Sequence, residues 1–168
     1  FDIMSNLAHK VDSIVNSTHK SNNFIDRLSL SESLWKCRNI FPEGEEIAQR
    51  NTLSVIKLAE VTNDLLTLSK ANGLYATILT DLGDNQNAIS RFEIAINLAK
   101  SIGAIDLSQK WQAEIGELYN KIGNRTSALA YYESSISDIE QIQKDILPLK
   151  NEIQFDFRDR IEPTYREY

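Results

Sequence analysis

Three side chains could supply a nucleophile with its base, or soft metal ligands: His9, His19 and Cys37. A zinc site draws about four ligands from Cys, His and carboxylates at short spacing, and none of these three lies three or four residues from another. A thiol nucleophile needs a base beside it, whereas a free cysteine is usually a small, inert packing residue. Half-burial in a helix is the expectation for Cys37. The glycines stand singly, not in a phosphate-cradling loop. The 24 acidic residues are scattered, so no two can be singled out as the carboxylates of a hydrolytic cleft. No catalytic residue, cofactor or metal is expected, and the chain does not read as an enzyme. Trp35 and Trp111 fall on apolar stripes, where packing is their expected role. Asn16-Ser17-Thr18 and Asn124-Arg125-Thr126 fit the glycosylation acceptor pattern by coincidence.

The balance of residues narrows the classes further. Of 168 residues, 42% are hydrophobic and 25% charged, the proportions of an ordinary globular domain. The net charge is −6, and the densest basic spot, Arg158 and Arg160, is surrounded by Asp156, Asp159 and Glu162. A nucleic-acid partner is not expected, because phosphate binding needs a clustered basic surface. One cysteine excludes an internal disulfide and fits a reducing compartment. No apolar run is long enough to span a bilayer and no basic-then-apolar leader is present, so a cytoplasmic location away from membranes is expected. The chain starts at Phe1 and reads as a piece of a longer protein.

The elements that would carry any site repeat. ANGLYATILTDLGDNQNAISRFEIAINLAKSIG is followed forty residues later by WQAEIGELYNKIGNRTSALAYYESSISDIE. Gly83 falls on Gly123, Ala88 on Ala128, Ile89 on Leu129, Phe92 on Tyr132 and Ile96 on Ile136. The step reaches backwards, with Ala8, Ala48, Ala88 and Ala128 in register, and Val15, Val55, Ala95 and Ser135 beside them. Repetition at this period is the mark of stacked helical units, and small residues in register let helices approach closely.

A pass along the chain places a helix over residues 1–20, a break at 21–23, and a second helix stopped near Phe41 by Pro42. A third follows over 45–62, burying Ala48, Leu53, Ile56, Leu58 and Ala59, and Asn63-Asp64 is its turn. Helix 64–82 turns Leu68, Ala71, Tyr75, Ile78, Leu79 and Leu82 inward. Gly83 ends it and Asp84 or Asn85 caps helix 86–101, which buries Ala88, Ile89, Phe92, Ala95, Ile96 and Ala99. Gly103 opens a slightly longer connection to helix 106–122, whose face is Leu107, Trp111, Ile115, Leu118 and Ile122. The last helix starts at 126 with Ala128, Leu129, Tyr132, Ile136 and Ile139 inward.

These residues resemble the tetratricopeptide repeat (TPR) family. The unit from Trp111 has the small residue at Gly116, the aromatic at Tyr119, the turn glycine at Gly123, then Ala128 and Tyr132. The unit before it keeps Ala76, Gly83, Ala88, Phe92 and Ala95, with Leu79 where the first aromatic is expected. The unit before that has Glu43 at the turn position with Gly44 beside it, the closing proline is missing throughout, and the period is longer than is usual for the family. Longer repeats of this kind are similar to those that precede CHAT domains, the caspase-like domains of bacterial and especially cyanobacterial proteins. The tail sharpens the likeness with Phe155, Phe157, Arg158, Glu162, Pro163, Tyr165, Arg166 and Glu167, which match the segment linking such arrays to a CHAT domain.

The resemblance implies an all-α fold: a right-handed α-solenoid of antiparallel helix pairs with about seven to eight helices. Residues 1–147 would form the repeat domain, degenerate over 1–44 and clearer over 45–147, and 148–168 a capping or linking segment. The implied function is protein–protein interaction, either binding a protein or peptide partner or positioning a downstream CHAT-type protease-like domain. The alternative is a scaffold that self-associates as a homodimer. By analogy the concave, partner-binding residues would be Thr77, Thr80 and Asp81 in one repeat and Lys110, Ala113, Glu117, Asn120 and Lys121 in the next. Gly73, Leu74 and Glu114 stand near the places where the chaperone-binding members carry a carboxylate clamp, so that clamp is not implied.

Overall fold

A computed structural model of the chain describes residues 24–138, together with 9, 10, 13 and 140. Over these residues the chain is all-helical. We number the helices α1 (Phe24–Lys36), α2 (Glu43–Thr62), α3 (Leu65–Leu82), α4 (Asn85–Ser101), α5 (Ile105–Lys121) and α6 (residues 125–138). Of the helix expected over 1–20 only His9, Lys10 and Ser13 are described, all three helical; the break at 21–23 and the segment 148–168 lie outside the described residues.

The four corners from α2 to α6 are built alike. Asn63, Gly83, Gly103 and Gly123, twenty residues apart, all take positive φ, at 53°, 82°, 68° and 84°. The next residue then donates its N–H five residues back: Asp64 to the Ala59 carbonyl, Asp84 to Leu79, Ala104 to Ala99 and Asn124 to Tyr119, all at 2.9–3.0 Å. A left-handed residue followed by this long bond closes a helix and satisfies carbonyls that would otherwise be orphaned. The same following residues start the next helix. Asp64 accepts from the Thr67 N–H, Asp84 from Asn87 and Asn124 from Ser127, while Ala104 offers no side-chain cap. The connection between α4 and α5 is one residue longer than the two before it, but its hydrogen-bonded corner matches theirs and α5 begins at Ile105. The first corner is different, a run of turns over 37–40 before Pro42, whose fixed φ suits a helix start. Glu43, Glu45 and Glu46 then sit in the first turn of α2, where negative charge is favourable.

Each helix packs on its sequence neighbours, and α1 touches α3 as α3 touches α5. The forty-residue register is visible in burial. Ala48, Ala88 and Ala128 are buried, as are Val55, Ala95 and Ser135. Phe92, 1% exposed, lies at the centre of a core shared by α3, α4 and α5, with its ring centroid 6.2 Å from that of Trp111.

Buried polar contacts pin the pairs. In α1–α2, Arg27 donates to the Asn51 Oδ1 and to Ser54, and Asn51 donates back to the Arg27 carbonyl and to Ser31. In α3–α4, Ser69 Oγ donates to the Ala95 carbonyl (2.7 Å), which joins the start of α3 to the end of α4 and makes the two antiparallel. In α5–α6 the same spot carries the reverse bond, Ser135 Oγ to the Gln109 carbonyl.

Close approach explains two glycines. A Cβ on Gly73 of α3 would stand 2.3 Å from the Trp111 ring, and one on Gly116 of α5 would stand 2.8 Å from Tyr132. These glycines are needed for space, whereas Gly83 and Gly123 have open surroundings and are needed for their φ.

Four residues expected inside are exposed. Leu82 (46%) and Ile122 (43%) are the last residues before left-handed corners, one turn past the buried Leu79 and Leu118. The chain folds back there, so little lies beyond them to pack against. Leu129 (61%) and Ile136 (55%) point from the face of α6 that no described helix covers. Cys37 is exposed too, because α1 ends at Lys36 and leaves it in the turn.

Three substitutions test this packing. Phe92→Ala should lower the urea-unfolding free energy by about 3–5 kcal/mol in one cooperative transition, because a large cavity opens between three helices. Gly73→Ala should destabilise by about 1–3 kcal/mol and alter tryptophan fluorescence as Trp111 is displaced. Gly83→Ala should cost about 1–2 kcal/mol through backbone strain alone, leaving the fluorescence unchanged.

Candidate functional site

The odd-numbered helices form one side of the molecule, and a groove of about 550 Å³ runs across them. From α1 it takes Ile25, Leu28, Ser29, Glu32, Trp35 and Lys36, with Arg38 following; from α3, Lys70, Leu74, Thr77 and Asp81; from α5, Leu107, Lys110, Trp111 and Glu114. Its floor is apolar and its charges are mostly matched. Lys36 meets Glu32 at 2.7 Å, one helical turn away, and this hydrogen bond holds the Glu32 carboxyl below its ordinary pKa. At one end Asp81 accepts from the Trp35 indole N–H (2.8 Å) and from Arg38 (3.0 Å), while the Arg38 guanidinium lies 4.5 Å from the centre of the Trp35 ring.

On α5 the Lys110 ammonium sits 4.4 Å from the centre of the Trp111 ring. The Trp111 indole N–H is buried without a partner. Beside it Glu114 is half-buried. Desolvation pushes its pKa up; Lys110 pulls it back, Glu117 and Asp81 add to the rise, and a hydrogen bond with Thr77 lowers it.

Of the residues expected on the concave face, Thr77, Asp81 and Lys110 line this groove. Lys110 also borders a second, more open hollow of about 400 Å³ with Ala113 and Glu117, closed on the far side by Tyr132 of α6. Thr80 lines neither, and its hydroxyl is turned onto the Ala76 carbonyl. Asn120 and Lys121, in the last turn of α5, also lie outside both hollows.

The contribution of α1 was missed in the sequence. The turn between α1 and α2 is longer than the later corners, so the forty-residue step does not extend to α1. An apolar-and-charged face at helical spacing, Leu28, Glu32, Trp35 and Lys36, was the signal that could have found it.

The chemistry such a surface can perform is recognition: an apolar floor for side chains, with charged groups around it to set orientation. Among the described residues no three His, Cys, Asp or Glu side chains converge as metal ligands, and no helix is long and apolar enough to cross a membrane.

The Glu114 environment gives a pH-dependent expectation. Its folded pKa is raised above the unfolded one, so its contribution to stability is full below the unfolded value and is lost as pH rises through the folded value. Glu114→Gln should therefore raise the urea midpoint at neutral pH. Titrated into acid, the two proteins should converge as the wild-type carboxyl protonates.

No family model, no curated protein and no solved structure matches this chain at a significant level.

Proposed function

We propose that this chain is a non-catalytic protein-binding module, a solenoid of tetratricopeptide type whose α1–α3–α5 groove takes a peptide or helical segment of a protein partner. The observation that carries this reading is the groove itself. Three helices alternating along the chain line one depression, with an apolar floor and charged side chains around it. Alternate helices of stacked pairs create extended surfaces of this kind, and a segment lying in a groove is held by apolar anchors with polar contacts fixing its register. The tail's likeness to CHAT-linking segments adds a second part to the reading: the module positions a protease-like effector domain. Phe155, Phe157, Arg158, Glu162, Pro163, Tyr165, Arg166 and Glu167, which carry that likeness, lie outside the described residues.

A random-peptide display selection against the whole chain tests it. Enriched peptides should bind the wild type and a Lys57→Glu control on α2 alike. Against the groove variant Thr77→Arg/Lys110→Glu they should bind about tenfold more weakly or worse, a loss of roughly 1.4 kcal/mol. Failure to enrich any peptide, or equal loss in the control and the groove variant, would overturn the assignment.

A further inference from the structure

The groove does not share the charge of the chain around it. The whole molecule carries −6, yet four basic side chains line the groove against three acidic ones. Two of the basic groups are already paired, Lys36 with Glu32 and Arg38 with Asp81. Lys70 is half-buried on α3 and makes no hydrogen bond or ion pair with any described residue. Lys110 feels the charges of Glu32 and Glu114 but forms an ion pair with neither, its ammonium lying over the Trp111 ring instead. A lysine partly withdrawn from water without a counter-charge bears a desolvation cost that an arriving anion offsets. Lys70 and Lys110 are also forty residues apart, at the same place in successive repeats, and Lys150 follows at the same interval in the sequence. The acids of α3 and α5 do not recur in this way, for the same step takes Glu114 to Leu74 and Asp81 to Lys121.

On the reading that the groove is the binding site, we propose that the segment it takes is an internal acidic stretch of a protein. Apolar side chains of that stretch lie on the floor of Leu28, Leu74 and Leu107, and its side-chain carboxylates meet Lys70 and Lys110. Because α3 and α5 are in contact, equivalent positions on them stand about 10 Å apart. Two cations at that separation call for two carboxylates, which a chain end alone does not supply. The matching acids are about three residues apart in a polyproline-II stretch, or about seven apart on a helix. Glu114, the carboxylate of the groove that stands outside an ion pair, opposes such a ligand and sets the limit on its affinity.

Fluorescence anisotropy with the whole chain and three labelled pools of short peptides tests it. All the peptides have amidated C-termini and the same leucine and phenylalanine positions, with Asp/Glu, Lys/Arg or Ser/Gln filling the places between. The acidic pool should bind about tenfold more tightly than the basic one, and the preference should shrink as salt is raised. Lys70→Glu/Lys110→Glu should abolish or reverse it. Lys57→Glu/Lys100→Glu, on α2 and α4 away from both hollows, changes the net charge equally and should leave the preference in place. Lys110→Glu alone, on an exposed side chain, should lose part of it, and Glu114→Gln should tighten the acidic pool further, with urea unfolding showing each variant folded. Equal binding of all three pools, lost in Thr77→Arg/Lys110→Glu, would overturn the acidic partner and leave the groove as the site. No binding by any pool would overturn both. Equal loss in the two double charge reversals would assign the preference to overall charge and overturn the proposal. So would a single-stranded oligonucleotide that binds as tightly as the acidic pool and loses binding in the groove reversal, which would assign the lysines to phosphate.

Discussion

The structure depends first on a corner that recurs every twenty residues. A left-handed residue, at Asn63, Gly83, Gly103 and Gly123, stops each helix, and the bond from the following N–H to the carbonyl five residues back holds the reversal in one geometry. Because the corners are evenly spaced, α3, α4 and α5 have nearly equal lengths of 18, 17 and 17 residues. Equal lengths put the same positions opposite one another in successive pairs. That is why an alanine buried at 48 is followed by alanines buried at 88 and 128, and why a hydroxyl-to-carbonyl bond forms at the same helix crossing in two different pairs. Left-handed geometry is nearly strain-free for glycine and tolerable for asparagine, so four residues suffice to impose the spacing.

Much of this was legible in the sequence because it is local. Gly83 followed by Asp84, and Gly123 followed by Asn124, are stop and start signals whose chemistry needs no knowledge of the rest of the chain. The alanines in register showed where helices come close. Harder to read was the twenty-residue half-step, because its four corners are written with four different dipeptides. Asn63-Asp64 and Gly103-Ala104 do not look like Gly83-Asp84, yet all share one hydrogen bond. Nor could a period predict which apolar positions lie at ends. Leu82 and Ile122 fit the helical stripe and are exposed because the helix stops just after them.

The groove was half legible for a similar reason. Thr77, Asp81 and Lys110, named by analogy on α3 and α5, line the groove. Glu32, Trp35 and Lys36 were not so named, because the irregular turn after α1 shifts that helix against the period. Gly73 shows the limit of reading a residue by motif position alone. The tetratricopeptide resemblance would set it near a clamp position, yet its role here is to let the Trp111 ring lie against α3. The buried Arg27 with Asn51 was also invisible, since nothing in the spacing of an arginine and an asparagine announces that they will meet inside. Burial pulls the Arg27 guanidinium pKa below its ordinary value, and Asn51, Ser54 and the backbone carbonyl beside them hold the site together by neutral contacts. Such a network disfavours any other pairing of α1 with α2, since a slipped register would leave a buried charge without its acceptors.

The same contacts that align the odd helices also limit how their groove can recognise anything. Trp35 is tied to Asp81, and Trp111 is seated on Gly73, so each tryptophan joins α3 to a neighbour. Glu32 is engaged by Lys36 and Asp81 by Arg38, and exposed or half-exposed pairs of this kind add little stability of their own. They do something else: they neutralise charge along the walls before any ligand arrives. Under the proposed reading, a segment entering the groove would meet matched charges over an apolar floor of Leu28, Leu74 and Leu107. Displacing Lys36 or Arg38 from its partner would gain little, because one ion pair would be exchanged for another. Affinity in such a site must come from burying apolar side chains on that floor, at about 25 cal/mol per Å² of surface removed from water. Charge is then left to decide direction and register, with Lys70 and Lys110 adding positive potential along α3 and α5 where Glu114 is only reluctantly ionised.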